Sequence, residues 1–296
     1  MENGHTRRLG IKGAQAVLQQ AKQVNLPQEI VDFEKLMHQQ NPNLREAADI
    51  LAYNPEVMGD FLQLANGVLN RPSDDPIVNV TSALMLMGLQ EVHRLFISAY
   101  LIKKLPIAQT DEDYLHHSIR CGIANAELSQ WVYGLGRSEA YIVGFLQDIG
   151  ALYLMRYDPE DYKTRYYLPH HQFPISKIKD EEIKYGTNHC YLSNLLVQNW
   201  RLGNFLSRAV LFHHHPNPIE LKRFDEKLSK MVAVNQISNF LVFETFETKN
   251  ITKELEDAYE NALYYLGLTD RAIDLTRGAL EKWGNSKTLP ASRFGD

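Results

Sequence analysis

The sequence predicts an all-α protein, and three observations predict it. Helix-start signals recur along the chain as a capping residue followed by proline or a carboxylate. Apolar residues repeat at intervals of three and four rather than two. Alternation of β-branched residues over strand lengths is nearly absent, and Asn66-Gly67 ends a helical run instead of joining two strand-like ones.

Taken in order, the first twenty-odd residues read as an extra helix, and Leu26-Pro27 opens the next. Asn43-Leu-Arg-Glu46 is a cap followed three residues later by a glutamate, ahead of Ala47, Ala48, Ile50 and Leu51. Asn54-Pro55-Glu56 sets a cap, a proline at the first helical position and a carboxylate at the positive end of the dipole. Ser82 to Ile97 forms two helical runs separated by Gly88. Thr110-Asp111-Glu112-Asp113 starts a helix through His117, Cys121 and Ala124 to Trp131. After the turn Gly134-Leu-Gly136, Ser138-Glu139 starts an apolar helix reaching Arg156 with Asp148 at its middle. Two amphipathic helices close the chain, on Leu255, Tyr259, Leu263 and Leu266 and then Ala272, Leu275, Leu280 and Trp283, and are expected to pack on the core. A loose tail is expected from Thr288.

These elements divide into an N-terminal helical extension (1–25), an N-terminal helical lobe (26–109), a histidine-bearing helical core (110–245) and C-terminal helices with a tail (246–296). No linker rich in Gly, Ser or Pro separates the lobes, so they are expected to share an interface. The chain has 296 residues, 44% of them hydrophobic, enough for a sizeable core. A formal charge of −5 gives no basic field for nucleic acid. The run Leu89 to Ile97, which imitates a recognition helix, offers only Gln90 and Arg94 as base readers, so DNA binding is not expected. There is no apolar run of membrane-spanning length and no signal-peptide core. Cys121 and Cys190 are far apart and read as reduced core thiols, which points to the cytoplasm.

Chemistry concentrates around one carboxylate. Eight of the eleven histidines lie between His116 and His215: His116-His117, His170-His171, His189 and His213-His214-His215. A carboxylate among His-bearing helices is how a helical protein builds a divalent metal site. Asp148, flanked by Ile142, Val143, Phe145, Leu146 and Ile149, must find a cation or donors, whether a metal or a neighbouring Arg or His. His117 reads equally as a ligand or as a core histidine bonded to a carbonyl. His116, His170 and His171 read as surface residues. The triple histidine before Pro216 also suits a helix C-terminus without any metal. Tyr166-Tyr167 and Phe240 to Phe246 could stack a base, but at helical spacing they read as core.

The stretch Gly144-Phe-Leu-Gln147-Asp148-Ile-Gly150-Ala-Leu resembles the signature Gly-Leu-Leu-His-Asp-Ile-Gly-Lys of the HD phosphohydrolase superfamily. More closely, the chain is similar to the HDOD family, the HD-related output domains of bacterial signalling proteins. The match rests on Leu26-Pro27, Asn54-Pro55 through Leu64-Ala65-Asn66-Gly67, Ile77 through Gly88-Leu89, His117-Ser118, His189 with Trp200, and His213-His214-His215-Pro216, over roughly residues 26 to 240. The resemblance implies a multi-helix HD-like bundle and two metal half-sites sharing Asp148. One would use His117, Gln147, Asp148 and Asn235, where two ligands are replaced by neutral amides that suit zinc, iron or manganese poorly. The other would use Asp148, His189, His213 and His214, all present and sufficient for one ion (Fe, Mn or Zn). A Gly-Tyr-Pro feature of the cyclic-dinucleotide-cleaving relatives is absent after His215, where Pro216-Asn217-Pro218 stands.

Two functions follow from the resemblance. The first is a non-catalytic signalling module that binds a protein partner or a small ligand, such as a nucleotide or phosphate. The second is a metal-dependent phosphohydrolase on the surviving half-site, with Arg120 or another cation near the phosphate. Loss of histidine at 147 and of aspartate at 235 favours the first.

Overall fold

The computed structural model describes residues 4–21, 24–69, 71–72, 74–105, 111–247 and 250–284. The expected boundary at 109/110 and the expected tail from Thr288 lie outside the described residues. Helices account for the architecture, with no strand among the described residues. In chain order they are α1 (Gly4–Gln20), α2 (Gln28–Met37), α3 (Leu44–Ala52), α4 (Pro55–Val68), α5 (Val80–Met87), α6 (Leu89–Lys104), α7 (Asp111–Ser129), α8 (Arg137–Leu146) and α9 (Ile149–Tyr157). A π-helical turn (Lys163–Tyr167) then leads into the short α10 (Leu168–His170), α11 (Ser176–Tyr185), α12 (His189–Asn199) and α13 (Asn204–Phe212). A 3-10 turn (Pro218–Leu221) precedes α14 (Glu226–Phe246), α15 (Lys253–Leu266) and α16 (Asp270–Trp283).

Local chemistry explains the starts. Asn43 accepts from the backbone N–H groups of Arg45 and Glu46, capping α3 with its side chain. Asn54 occupies the cap of α4 without a side-chain bond, so there Pro55 sets the first turn. Gly88 ends α5 and begins α6 at φ 78°, a conformation that favours glycine. The second of these helices buries Val92, His93, Leu95, Phe96 and Ile97 in the core.

Two of the sequence landmarks turn out to be backbone clamps. Asn66 donates to the carbonyls of Leu62 and Ile77 and accepts the Ile77 N–H at 2.7 Å, tying the loop before α5 to α4. The extended segment between α1 and α2 is gripped on both sides. Tyr153 accepts the Val24 N–H, Trp200 donates to the Val24 carbonyl, and Tyr100 donates to the Asn25 carbonyl. Buried backbone groups outside regular helix need such partners.

The core helix is α14, whose residues from Leu228 to Phe243 are almost all buried. It packs against α7, α8, α13, α15 and α16, while α12 packs on α9 and α13. The N-terminal α1 lies on α9 and α12, burying Ala14, Val17 and Leu18. As expected, α15 and α16 cover the core through Leu255, Ala272 and Leu280, although Leu275 remains 52% exposed.

One expectation fails. The apolar helix across Asp148 is not continuous: it breaks at Gln147 and Asp148 into α8 and α9, and Asp148 stands at φ −101°, ψ 14° before α9. Ser193 of α12 holds the break, donating to the Gln147 carbonyl and accepting the Gly150 N–H. The glycines either side allow the close approach. A Cβ on Gly150 would lie 2.1 Å from the His189 carbonyl oxygen, and one on Gly144 would lie 2.5 Å from that of Cys121. Glycine is therefore required where α9 meets α12 and α8 meets α7.

Candidate metal centre

The break aims the Asp148 carboxylate into a wall of imidazoles. Its Oδ1 lies 3.0 Å from His213 Nε2, 3.2 Å from His189 Nε2, 3.7 Å from His170 Nε2 and 4.0 Å from His214 Nε2. Its Oδ2 lies 3.7 Å from His117 Nε2. All six side chains are buried, and Asp148, His189 and His213 have at most 1% of theirs exposed. One donor atom each from Asp148, His189, His213 and His214 falls within 4.8 Å of the others.

The far sides of two rings show what the near sides require. His189 Nδ1 donates to Glu181 at 2.9 Å, and the same carboxylate accepts the His189 N–H and the Tyr162 hydroxyl. His213 Nδ1 donates to the Val210 carbonyl at 2.8 Å. In the neutral tautomer both Nε2 lone pairs then face the Asp148 oxygen, with the two Nε2 atoms 3.4 Å apart. Lone pairs cannot stand opposed at these distances without positive charge between them. Protons or a metal ion must supply it.

The protein's own answer is protons. Burial opposes charging His213, yet Cys190 and Asp148 beside it push its pKa up to about 9. Burial likewise opposes charging His189, and Glu181 outweighs it, holding the ring well above its ordinary value. Burial alone would raise Asp148, but hydrogen bonds from His189 and His213 hold it well below the usual carboxylate range. His170 and His214, desolvated and beside other imidazoles, are pushed well down and stay neutral.

A divalent ion would answer the same need. Bonds of roughly 2.1 Å place neighbouring donors about 3.0–3.4 Å apart, the spacing of Asp148, His189 and His213. Glu181 and the Val210 carbonyl are the outer hydrogen-bond acceptors that fix the tautomer of metal-bound histidines. His214 Nε2 is buried without a hydrogen-bond partner, a group awaiting a ligand. The residues present therefore fit a metal, which Asp148, His189, His213 and His214 would hold.

The Oδ2 side differs in kind. Gln147 donates through Nε2 to Asp148 Oδ2 at 3.3 Å and to Asn239 at 2.6 Å. Asn235, assigned to this corner from sequence, instead accepts from Asn125, and its own Nδ2 has no partner. Asn239, one turn later on α14, is the residue that meets Gln147. His117 contacts Cys121 Sγ at 3.4 Å and is driven down to a pKa of about 3 by burial and then by His171. His117, His171 and Glu247 also bring donor atoms within 4.8 Å of one another. However, the two rings stack at 4.0 Å and 9°, so their in-plane lone pairs run parallel rather than converge. With His171 bonded to Glu247 at 2.7 Å, this trio is a hydrogen-bonded wall.

His170 and His171 are not surface residues, being 2% and 8% exposed, because α10 turns inward under Tyr167. His116 is half-buried and has no part in the cluster, and His215 bonds locally to Asn217. Arg120 donates to the Gly284 carbonyl and lies 3.7 Å over the Phe246 ring, facing the C-terminal helix. Glu181, Tyr162, Ser193, Asn239 and His170 were missed. Glu181 sits in the charged stretch Ser176 to Tyr185, where nothing in sequence separates it from Glu182.

The family model for the HDOD domain matches residues 24–216. A solved structure of a candidate phosphohydrolase from Shewanella amazonensis SB2B is similar at TM-score 0.64 and 19% identity, over 91% of this chain and 94% of that one. An HDOD domain protein of unknown function from Geobacter sulfurreducens is similar at TM-score 0.60 and 18% identity, over 93% and 94%. A candidate signal transduction protein from Marinobacter aquaeolei VT8 is similar at TM-score 0.63 and 14% identity, over 94% of this chain and 63% of that one. Among curated proteins none matches the chain in sequence. At these identities the structural likeness speaks for the fold, and it is the family match, running from the clamped segment before α2 to the triple histidine, that decides membership: the chain belongs to the HDOD domain family.

Proposed function

We propose that this protein is a cytoplasmic regulatory module of bacterial signal transduction that holds one divalent transition metal and acts by binding a partner protein or small ligand rather than by turnover. One observation carries the reading. The two oxygens of Asp148 face unlike surroundings, Oδ1 among four imidazoles and Oδ2 toward the Gln147 amide and the single imidazole of His117. Gln147 presents an amide N–H, a donor, to Oδ2, and neutral amides at 147 and 235 make the half-site of His117, Gln147, Asp148 and Asn235 a poor one for a cation. A single ion lacks the paired clamp that stabilises both attacking and leaving oxygens in phosphoryl displacement. The burial of the cluster supports the same reading, since a phosphodiester must reach the ion and its ligands are nearly inaccessible. Among the described residues no helix is long and apolar enough to cross a membrane, which is consistent with the proposed setting.

A second reading keeps one specific support. With Asp148, His189, His213 and His214 as ligands, a metal would retain a position for water or a phosphate oxygen, as a one-metal phosphohydrolase requires. Elemental mass spectrometry of the purified, tag-free chain separates the possibilities at their root. The expected result is close to one equivalent of iron, manganese or zinc, lost in Asp148→Ala. Metal at that level with hydrolysis in a phosphodiester screen would replace the first reading by the second. A folded protein that takes up no metal on titration would remove both metal claims and leave the cluster as a buried ion pair.

A further inference from the structure

We infer that His170 is a fifth ligand of the metal site, outside the donor set expected from sequence, and that the site accordingly takes an octahedrally inclined ion of the ferrous type in preference to zinc. The inference rests on the one-metal reading above and deepens it.

His170 Nε2 stands 3.7 Å from Asp148 Oδ1, nearer than His214 Nε2 at 4.0 Å. Neither distance is a hydrogen bond. Both fall between the adjacent edge, about 3.0 Å, and the diagonal, about 4.2 Å, of a six-coordinate polyhedron with bonds near 2.1 Å. The ring packs 5.0 Å from His189 and 5.6 Å, nearly perpendicular, from His214, so the three imidazoles are inclined to one another rather than stacked. This is unlike the parallel pair His117 and His171, and it is the arrangement that lets lone pairs converge.

The ring is also poorly explained as structure alone. It is 2% exposed, and its Nδ1 has no hydrogen-bond partner. Burying an imidazole with an unmet polar atom forfeits its hydration without a replacing bond. The backbone goes out of its way to place it: a π-helical turn over Lys163–Tyr167, closed by the Leu168 N–H on the Lys163 carbonyl, precedes it directly. Such turns are rare and concentrate at functional sites. His170 lies outside the 4.8 Å span of the other four donors, so loading draws the ring inward, and no hydrogen bond at Nδ1 has to break.

Four imidazoles and a carboxylate exceed the tetrahedral complement that zinc prefers. They suit an ion content with five or six ligands, and the imidazole-rich set favours iron over manganese.

Cobalt(II) is the probe, because its visible bands report coordination number without any activity. The wild-type protein is expected to show the weak bands of a five- or six-coordinate ion. His170→Ala is expected to shift them toward the intense four-coordinate pattern and to weaken affinity by at least the roughly 10–100-fold seen for outer-shell changes. Added imidazole should restore the wild-type spectrum. His170→Gln, with near-UV circular dichroism, serves if the alanine variant does not fold. Wild-type and folded variant proteins with the same spectrum and affinity would overturn this inference alone. Wild-type protein that takes up no cobalt, iron or zinc would overturn it together with the one-metal reading.

Discussion

At the scale of single residues, burial decides charge. His93 makes the point away from the metal site: its ring stacks on Phe33 at 5.7 Å and 3°, and its Nε2 has no partner. Burial, then Arg94 beside it, lowers its pKa from 6.5 to about 4. The unfolded chain therefore takes up a proton near pH 6.5 that the folded chain refuses until about pH 4. Stability is full above pH 6.5 and falls as pH drops toward 4, by about 3 kcal/mol in all. Urea melts at pH 7 and pH 4.5 should show that loss, and it should shrink in His93→Phe, which keeps the stack. An unchanged pH slope in the variant would assign the acid sensitivity to other groups. At the Asp148 site the same rule works in reverse, because Glu181 and Asp148 outweigh burial and hold His189 and His213 charged when no metal is bound.

At the scale of elements, the break between α8 and α9 organises the site. A straight helix would have left Asp148 on one side of a cylinder. The bend, held by Ser193 and permitted by Gly150, turns the carboxylate toward α12 and α13. Gly150→Ala is expected to cost on the order of 1–3 kcal/mol, as overpacked cores do. Because the new methyl would meet the His189 carbonyl, the same substitution should weaken metal binding as well. Thermal melts paired with a metal titration check this, and a variant with unchanged Tm and affinity would show the contact to be slack. The fold was legible at this scale wherever capping and spacing set it, as at Asn43, Pro55 and Gly88. The broken helix was not, because its sequence is a good apolar helix. What interrupts it is a serine 45 positions downstream of Asp148, on another helix.

At the scale of the whole molecule, the family match ends at residue 216, but the site does not. Helix α14 supplies Asn239, which holds Gln147, and Glu247, capping its C-terminus, holds His171. It is buried on nearly every face, and α15 and α16 cover it through contacts such as Phe240 stacked on Tyr259 at 3.9 Å. A chain cut after Pro216 is expected to lose cooperative unfolding and near-UV circular dichroism. A cooperative melt of the shortened chain would mean that the helices before it form a core unaided.

The sequence by itself determined that the chain is helical and where most helices begin, and its resemblance to the HDOD family implied Asp148, His189, His213 and His214 as a candidate set. The helices follow from short-range rules, caps and apolar periodicity, and the resemblance from short motifs that match the family's landmarks. Tertiary structure alone decided that His170 and His171 are buried, that Glu181 orients His189, and that Asn239 faces Gln147. Each depends on how helices distant in the chain pack, and whether a histidine faces solvent or a carboxylate is fixed by its neighbours in space. No local pattern carries that information.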